Sequence, residues 1–140
     1  MSKNYKILSK YIKDMSSETP DIETYLFVKD FISKYHLNID IVSKALKDKL
    51  IEVNTTLKFE DKSENIKKSY FEIIFATIIK IEDVVKEKKE LEKIILCDVQ
   101  KEIYPNLETS FLNLLNDSGY PGVKFEKGID FEKLYNQRFD

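Results

Sequence analysis

Apolar and polar positions alternate with a period of two in four places along the chain, the pattern of half-buried β-strands. The first is the weakest: Tyr5, Ile7, Ser9 and Tyr11 stand against Lys6, Leu8, Lys10 and Ile12. In the second, Leu37, Ile39 and Ile41 alternate with Asn38 and Asp40. In the third, Ile51, Val53, Thr55, Leu57 and Phe59 alternate with Glu52, Asn54, Thr56, Lys58 and Glu60. The polar run EDKSENIKK that follows reads as a hairpin connection, although it has no glycine to fix a tight turn. The fourth stretch, SYFEIIFATIIKI, becomes apolar on both faces in its second half. A strand with one wet face alternates cleanly, so helices are expected on one side of this one and another subunit on the other.

After Ile81 the period becomes helical. Val84, Leu91, Ile95 and Val99 share one stripe, and Leu107, Phe111, Leu114 and Leu115 continue it up to NDSG, with Gly119 as the helix stop. Pro105 falls inside this pattern and is expected to kink or divide the helix, because it removes a backbone donor. A loop, YPGVKFEKGI, follows. DFEKLYNQRF then offers Asp130 as N-cap and Phe131, Leu134 and Tyr135 as a short apolar face. The order of four antiparallel strands, a long kinked helix and a short C-terminal helix predicts an α+β fold, with residues 1–140 as a single domain.

Composition narrows the function. Hydrophobic residues make up 42% and charged residues 34%, with a net charge of −2 and both signs interspersed. Such a chain folds but carries no basic footprint for nucleic acid. The opening MSKNYKILSKY lacks the apolar stretch of a secretory leader. The longest apolar run, Ile73 to Ile79, is far short of the roughly 20 residues that span a bilayer. A soluble cytoplasmic protein without direct membrane insertion is therefore expected. One cysteine, Cys97, excludes an internal disulfide and a cysteine-rich zinc site. His36 and Cys97 could in principle form a thiol–imidazole pair. His36, however, precedes the second strand, and Cys97 sits in the apolar IILCDV of the helix, which suits a surface imidazole and a buried structural thiol. No phosphate-cradling glycine loop is present, and no enzyme, metal or cofactor is expected.

The stretch YIKDMSSETP, Tyr11 to Pro20, places Asp14 and Glu18 where a strand pattern ends. It resembles the Y-x-K-D-[IL]-S-x-E-x-P that closes the first strand of SecB, the tetrameric export-chaperone family of bacteria. FVKDFISKYHLNID resembles that family's crossover segment, and LIEVNTTLKF resembles its Y-E-V strand, with Ile51 for the tyrosine. IYPNLETSFLNLLNDSGYPGV resembles the helix with a proline at its kink and a Gly-aromatic-Pro turn. DFEKLY resembles the opening of the last helix. The matches keep their order from about Tyr11 to Tyr135. The departures are Ala76-Thr77 in place of a favoured Ala-Gly pair, NLET after the kink proline, EKG before the last helix, and NQRFD in place of an acidic tail.

The resemblance implies a homotetramer, a dimer of dimers with helices sandwiched between sheets. It implies ATP-independent holding of unfolded precursor proteins and their delivery to the SecA translocase ATPase. The family's SecA-docking acids fall on Asp14, Glu18 and Glu72, with Tyr70 beside them. The competing reading is a set of ordinary solvated acids at a strand end. The family's client groove falls on Tyr25, Phe27 and Phe31 of the crossover and on Tyr120, Phe125 and Phe131, for each of which a core position is the alternative. A SecB-like chaperone dedicated to one client, such as an antitoxin, is the second functional reading, and a small-molecule or lipid carrier is a distant third.

Overall fold

The computed structural model describes residues 4–125 and 129–139, with side chains to 137. Four antiparallel strands, β1 (Tyr5–Glu18), β2 (His36–Ala45), β3 (Leu50–Glu60) and β4 (Tyr70–Ile81), form one sheet in the order β1-β4-β3-β2. A helix absent from the sequence reading, α1 (Ile22–Phe31), lies between β1 and β2 and continues into a 3-10 turn, Ile32–Lys34. A short helix α2 (Lys88–Lys93) runs through a π-helical turn (Ile94–Asp98) into α3 (Val99–Asp117), and α4 (Phe131–Phe139) closes the fold.

Register divides the strand residues between two faces, because directly paired residues of antiparallel strands point the same way. Phe71, Ile73, Phe75, Ile79 and Ile81 of β4 pair with or neighbour Ile51, Val53, Leu57 and Phe59 of β3, and all are buried. Val99, Ile103, Leu107, Phe111 and Leu115, at helical spacing on α3, complete this core. The other face carries Tyr70, Glu72, Ile74, Ala76, Ile78 and Lys80, and no described element covers it. The second half of β4 is thus apolar on both faces, as expected, but the covering within the chain is on the helix side only.

The first strand corrects the simple alternation. Two β-bulges interrupt its pairing with β4, between Ile7 and Ser9 and between Ile12 and Asp14. Each inserts one residue and so exchanges the faces of everything beyond it. Tyr5 and Ile7 therefore point to the helices, whereas Ser9 and Tyr11, expected beside them, lie on the open face opposite Ile78 and Ala76. The second bulge returns Asp14, Ser16 and Glu18 to that open face, opposite Ile74, Glu72 and Tyr70.

Asp21 caps α1, its carboxylate accepting from Thr24 N at 2.8 Å. Hydrogen bonds from the Thr24 side chain and then from its backbone N–H hold the Asp21 carboxyl below the usual carboxylate range. Only Thr24 and Val28 of α1 are buried while Ile22 and Leu26 are exposed, so the helix has no apolar stripe to betray it. Pro105 does not divide α3. The carbonyl that loses its partner belongs to Lys101, on the same exposed flank, where water can serve it. The irregularity lies earlier, in the π turn. There the fully buried Gln100 donates to Ile95 O at 3.1 Å and accepts from Thr55 Oγ1 at 2.9 Å, tying the turn to the centre of the sheet. Sequence signals for the helix ends hold: Asp130 accepts from Lys133 N at 3.0 Å, and Gly119 follows α3 with φ +100°.

Gly119 needs both its φ and its missing side chain, since a Cβ there would lie 2.7 Å from the Tyr25 ring. Gly119→Ala is expected to cost roughly 1–3 kcal/mol, read as a lowered urea midpoint with unchanged m-value.

Candidate functional site: an open acidic face and an apolar edge groove

The open face receives Asp14, Ser16 and Glu18 from β1 and Tyr70 and Glu72 from β4 as neighbours across one ladder. All four residues expected from the docking motif thus share one surface. Tyr70 is 60% exposed and stands between Glu18 and the end of β3. A shallow hollow of about 220 Å³ is lined there by Ser16, Glu18, Lys58, Glu60, Tyr70 and Glu72. Ser16 Oγ donates to Asp14 Oδ2 at 2.9 Å, and Lys58 lies 3.4 Å from Glu72. Glu18 and Glu60 add further carboxylates at the same end. Sequence reasoning missed Lys58 and Glu60, because only the β3–β4 register places them beside Glu72.

Farther along this face Lys13 emerges at the second bulge and bonds Glu52 at 2.7 Å. The ammonium, aided by Asn54 at 2.7 Å, holds the Glu52 carboxyl below its ordinary range. The Lys13 end of the pair is solvated while Glu52 is half-buried, and the bond fixes side chains across three strands.

The six aromatics expected to line a groove separate into distinct environments. Phe125 is half-buried and lines an open cleft of about 830 Å³ together with Ile32, Tyr35, Leu37, Phe59 and Val123. Its ring is 5.6 Å from Phe59 and 6.2 Å from Phe111. Phe27 and Phe31 stack at 4.6 Å on α1, with Phe31 40% exposed. Tyr25 is half-buried and clasps the α3 terminus, donating to Gly119 O at 3.0 Å. Tyr120 and Phe131 belong to the core, each only 3% exposed. Tyr120 packs edge-on against Phe71 and its hydroxyl meets Ser69 Oγ at 3.0 Å, while Phe131 seats against Tyr104 at 5.5 Å. These two are corrections to the groove assignment, because the loop and α4 fold back and use them as anchors.

A second hollow, about 410 Å³, lies beyond the cleft along the same strand, lined by Ile39, Ile41, Leu96, Leu134 and Tyr135 with Asp40 and Gln137. Leu37, Ile39 and Ile41 are the helix-facing residues of β2, an edge strand of the sheet. An apolar groove therefore follows a free strand edge, roofed at one end by α4. The alternation of these three residues was legible, but that they border a groove follows from β2 being an edge. Lys101–Glu132 at 2.6 Å and Tyr135 OH to Lys89 O at 3.3 Å hold α4 in place.

His36 pairs with Glu60 on the open-face side, whereas Cys97 is fully buried in the π turn on the helix side, where burial raises its thiol pKa. The two share no site. Among the described residues no cluster of potential metal ligands occurs, and no helix is long and apolar enough to cross a membrane.

Tyr120→Ala is expected to cost about 3–5 kcal/mol, as for a large core residue, and Phe31→Ala no more than about 1 kcal/mol. Urea unfolding monitored by tyrosine fluorescence and far-UV circular dichroism separates the two.

Comparison with known proteins agrees with this architecture. The family model for "Preprotein translocase subunit SecB" matches residues 1–140. A homologue named SecB from Pelagibacter ubique is 64% identical over 138 residues, covering 99% of each chain. A protein-export protein SecB of Bradyrhizobium is 25% identical, over 96% of this chain and 81% of its own length. Among solved structures, a SecB-like chaperone of Mycobacterium tuberculosis, in complex with a ChAD peptide from an antitoxin, superposes with a TM-score of 0.62 at 12% identity. It covers 89% of this chain and 91% of its own. With a four-stranded sheet backed by a long helix, and matches that run the length of the chain, the protein belongs to the SecB family of protein-export chaperones.

Proposed function

We propose that the protein holds unfolded precursor proteins without ATP and delivers them to the SecA translocase ATPase, acting in the cytoplasm as a dimer of dimers. No bond is made or broken. The observation that carries the reading is the pairing of two unlike surfaces on opposite sides of one sheet: an apolar groove along a free strand edge, and an exposed acidic face. The groove suits unfolded chains because burial of apolar side chains is non-directional, and a free edge offers backbone hydrogen bonds that ignore sequence. Leu37, Ile39, Ile41 and Phe125 are its floor, and the Phe27–Phe31 stack is a further apolar contact. Preferential binding of the unfolded state then delays folding by mass action. The acidic face suits a basic partner segment, for which charge complementarity governs encounter rate and selectivity.

Assembly into dimers has its own support. Leu8, Ile12 and Met15 of the edge strand β1 are each at least 44% exposed, apolar positions that a partner subunit would cover. The second reading, a chaperone dedicated to one client, is favoured by the antitoxin peptide bound to the M. tuberculosis structure.

Light scattering of a denatured precursor should show aggregation suppressed by the purified protein at stoichiometric amounts. A protein that suppresses nothing yet binds one neighbour-encoded protein tightly would favour the dedicated reading. Asp14→Lys/Glu18→Lys is expected to leave that suppression intact and to weaken SecA binding at least about tenfold in calorimetric titration, an effect that shrinks as salt rises. Unchanged SecA affinity would refute docking through this face.

A further inference from the structure

The open face is not uniformly acidic. Its residues can be read in rows from the strand register. Near the β1 C-terminus the rows hold Glu18, Glu72, Asp14, Asp40 and Glu60, with Lys58 the lone ammonium among them. The middle row, Tyr11, Ala76, Asn54 and Val42, carries no charge. At the far end the sign reverses. Lys6 and Lys80 stand directly opposite each other on β1 and β4; in the row before, Lys44 is opposite Glu52, which the Lys13 ammonium reaches from the second bulge.

Like charges directly opposite on neighbouring strands are destabilising. Both Lys6 and Lys80 are exposed, and neither makes an ion pair among the described residues. Glu52 is already engaged by Lys13 at 2.7 Å, so it does not relieve them. The face is therefore bipolar, with each end carrying charge that a partner of opposite sign would neutralise.

We infer that the open face docks one polypeptide segment that is itself bipolar, basic over Asp14, Glu18 and Glu72 and acidic over Lys6 and Lys80. This rests on the reading of the face as a docking surface and adds what orients the docked segment. The eight steps from Glu72 to Lys80 span about 26 Å, the length of roughly eight extended residues. The uncharged middle row, with Tyr11 and Val42 exposed, accepts apolar side chains between the charged ends. A bipolar face is also complementary to a second copy of itself turned by a two-fold axis. The area argues against that occupant: four strands about 4.8 Å apart and about 33 Å long offer roughly 600 Å². A stable interface buries about 800 Å² per partner, with a more apolar centre than this one.

The test uses the whole protein and two fluorescently labelled peptides of about ten residues with the same leucine-alanine centre. One bears lysines at one end and glutamates at the other, and the second bears lysines at both ends. At low salt the protein is expected to bind the bipolar peptide roughly tenfold more tightly than the all-lysine one. Lys6→Glu/Lys80→Glu is expected to reverse that order with unchanged circular dichroism. Lys80→Gln, which introduces no new charge, is expected to narrow the gap roughly threefold. Equal affinity for the two peptides, or an order the lysine variants do not move, would overturn the inference. So would sedimentation showing self-association that Lys6→Glu/Lys80→Glu abolishes, since the face would then belong to a second copy. SecA titration against the Asp14 and Glu18 variants addresses the docking reading separately, so either can fail while the other stands.

Discussion

The pairing of β1 with β4 is the constraint on which both surfaces depend. Side chains alternate across a strand with period two, so a shift of one residue carries every polar group to the core and every apolar group to water. In β1 this shift occurs twice, at the bulges beside Leu8 and Lys13. Between the bulges the odd-numbered residues face solvent, and outside them the even-numbered ones do. Without the second bulge, Asp14 would sit opposite Ile73 and Glu18 opposite Ser69 on the helix side, and β1 would contribute no acid to the open face. A bulged edge strand is also twisted away from regular pairing, which discourages indiscriminate edge-to-edge association.

The groove depends on a different device, the connection between the sheet and the long helix. Thr55 is fully buried in the middle of β3, an unusual place for a hydroxyl, and it donates to the equally buried Gln100. Gln100 donates in turn to the carbonyl of Ile95, within the π turn. A buried polar network of this kind stabilises only when each member is satisfied, so the helix has one rotation and one height relative to β3. That height sets Leu96 beside Ile39 and Ile41 to line the hollow beneath α4.

The strand β3 was legible because its alternation is long and unbroken, and β4 because it is a long run of β-branched and aromatic residues; both are central in the sheet. The helix ends were legible where a side chain or a φ angle decides them, at Asp130 and Gly119. What the sequence concealed has identifiable causes. A bulge leaves no residue type of its own, so Ser9 and Tyr11 appeared to continue the face of Tyr5 and Ile7. Helix α1 buries only Thr24 and Val28 and exposes Ile22 and Leu26, so its apolar residues do not mark its core side. The tight connection between β2 and β3 places Asp48 and Lys49 at φ 60° and 64°, where a glycine or asparagine would have announced the turn. Among the aromatics, type and position alone could not distinguish Phe125 at a cleft from Tyr120 and Phe131 in the core. That distinction belongs to the path of the loop after Gly119, and only packing reveals it.

The two surfaces also differ in what they ask of a ligand, and the fold keeps those demands apart. Along β2 a client held as proposed would meet apolar side chains and an unpaired strand edge, so its affinity would follow buried area and be nearly indifferent to salt and sequence. On the open face a ligand of the proposed kind would meet charges about a Debye length or more apart end to end, so its affinity would follow charge order and decay with salt. A single sheet can present both because its helix-facing residues extend beyond the helix layer at the β2 edge, whereas no described element covers its other face. The two surfaces meet at Asp40 and Phe59, which border both, and are otherwise lined by different residues. If the proposed roles hold, that geometry would let a loaded chaperone engage a second protein, with salt weakening the second contact without releasing the first.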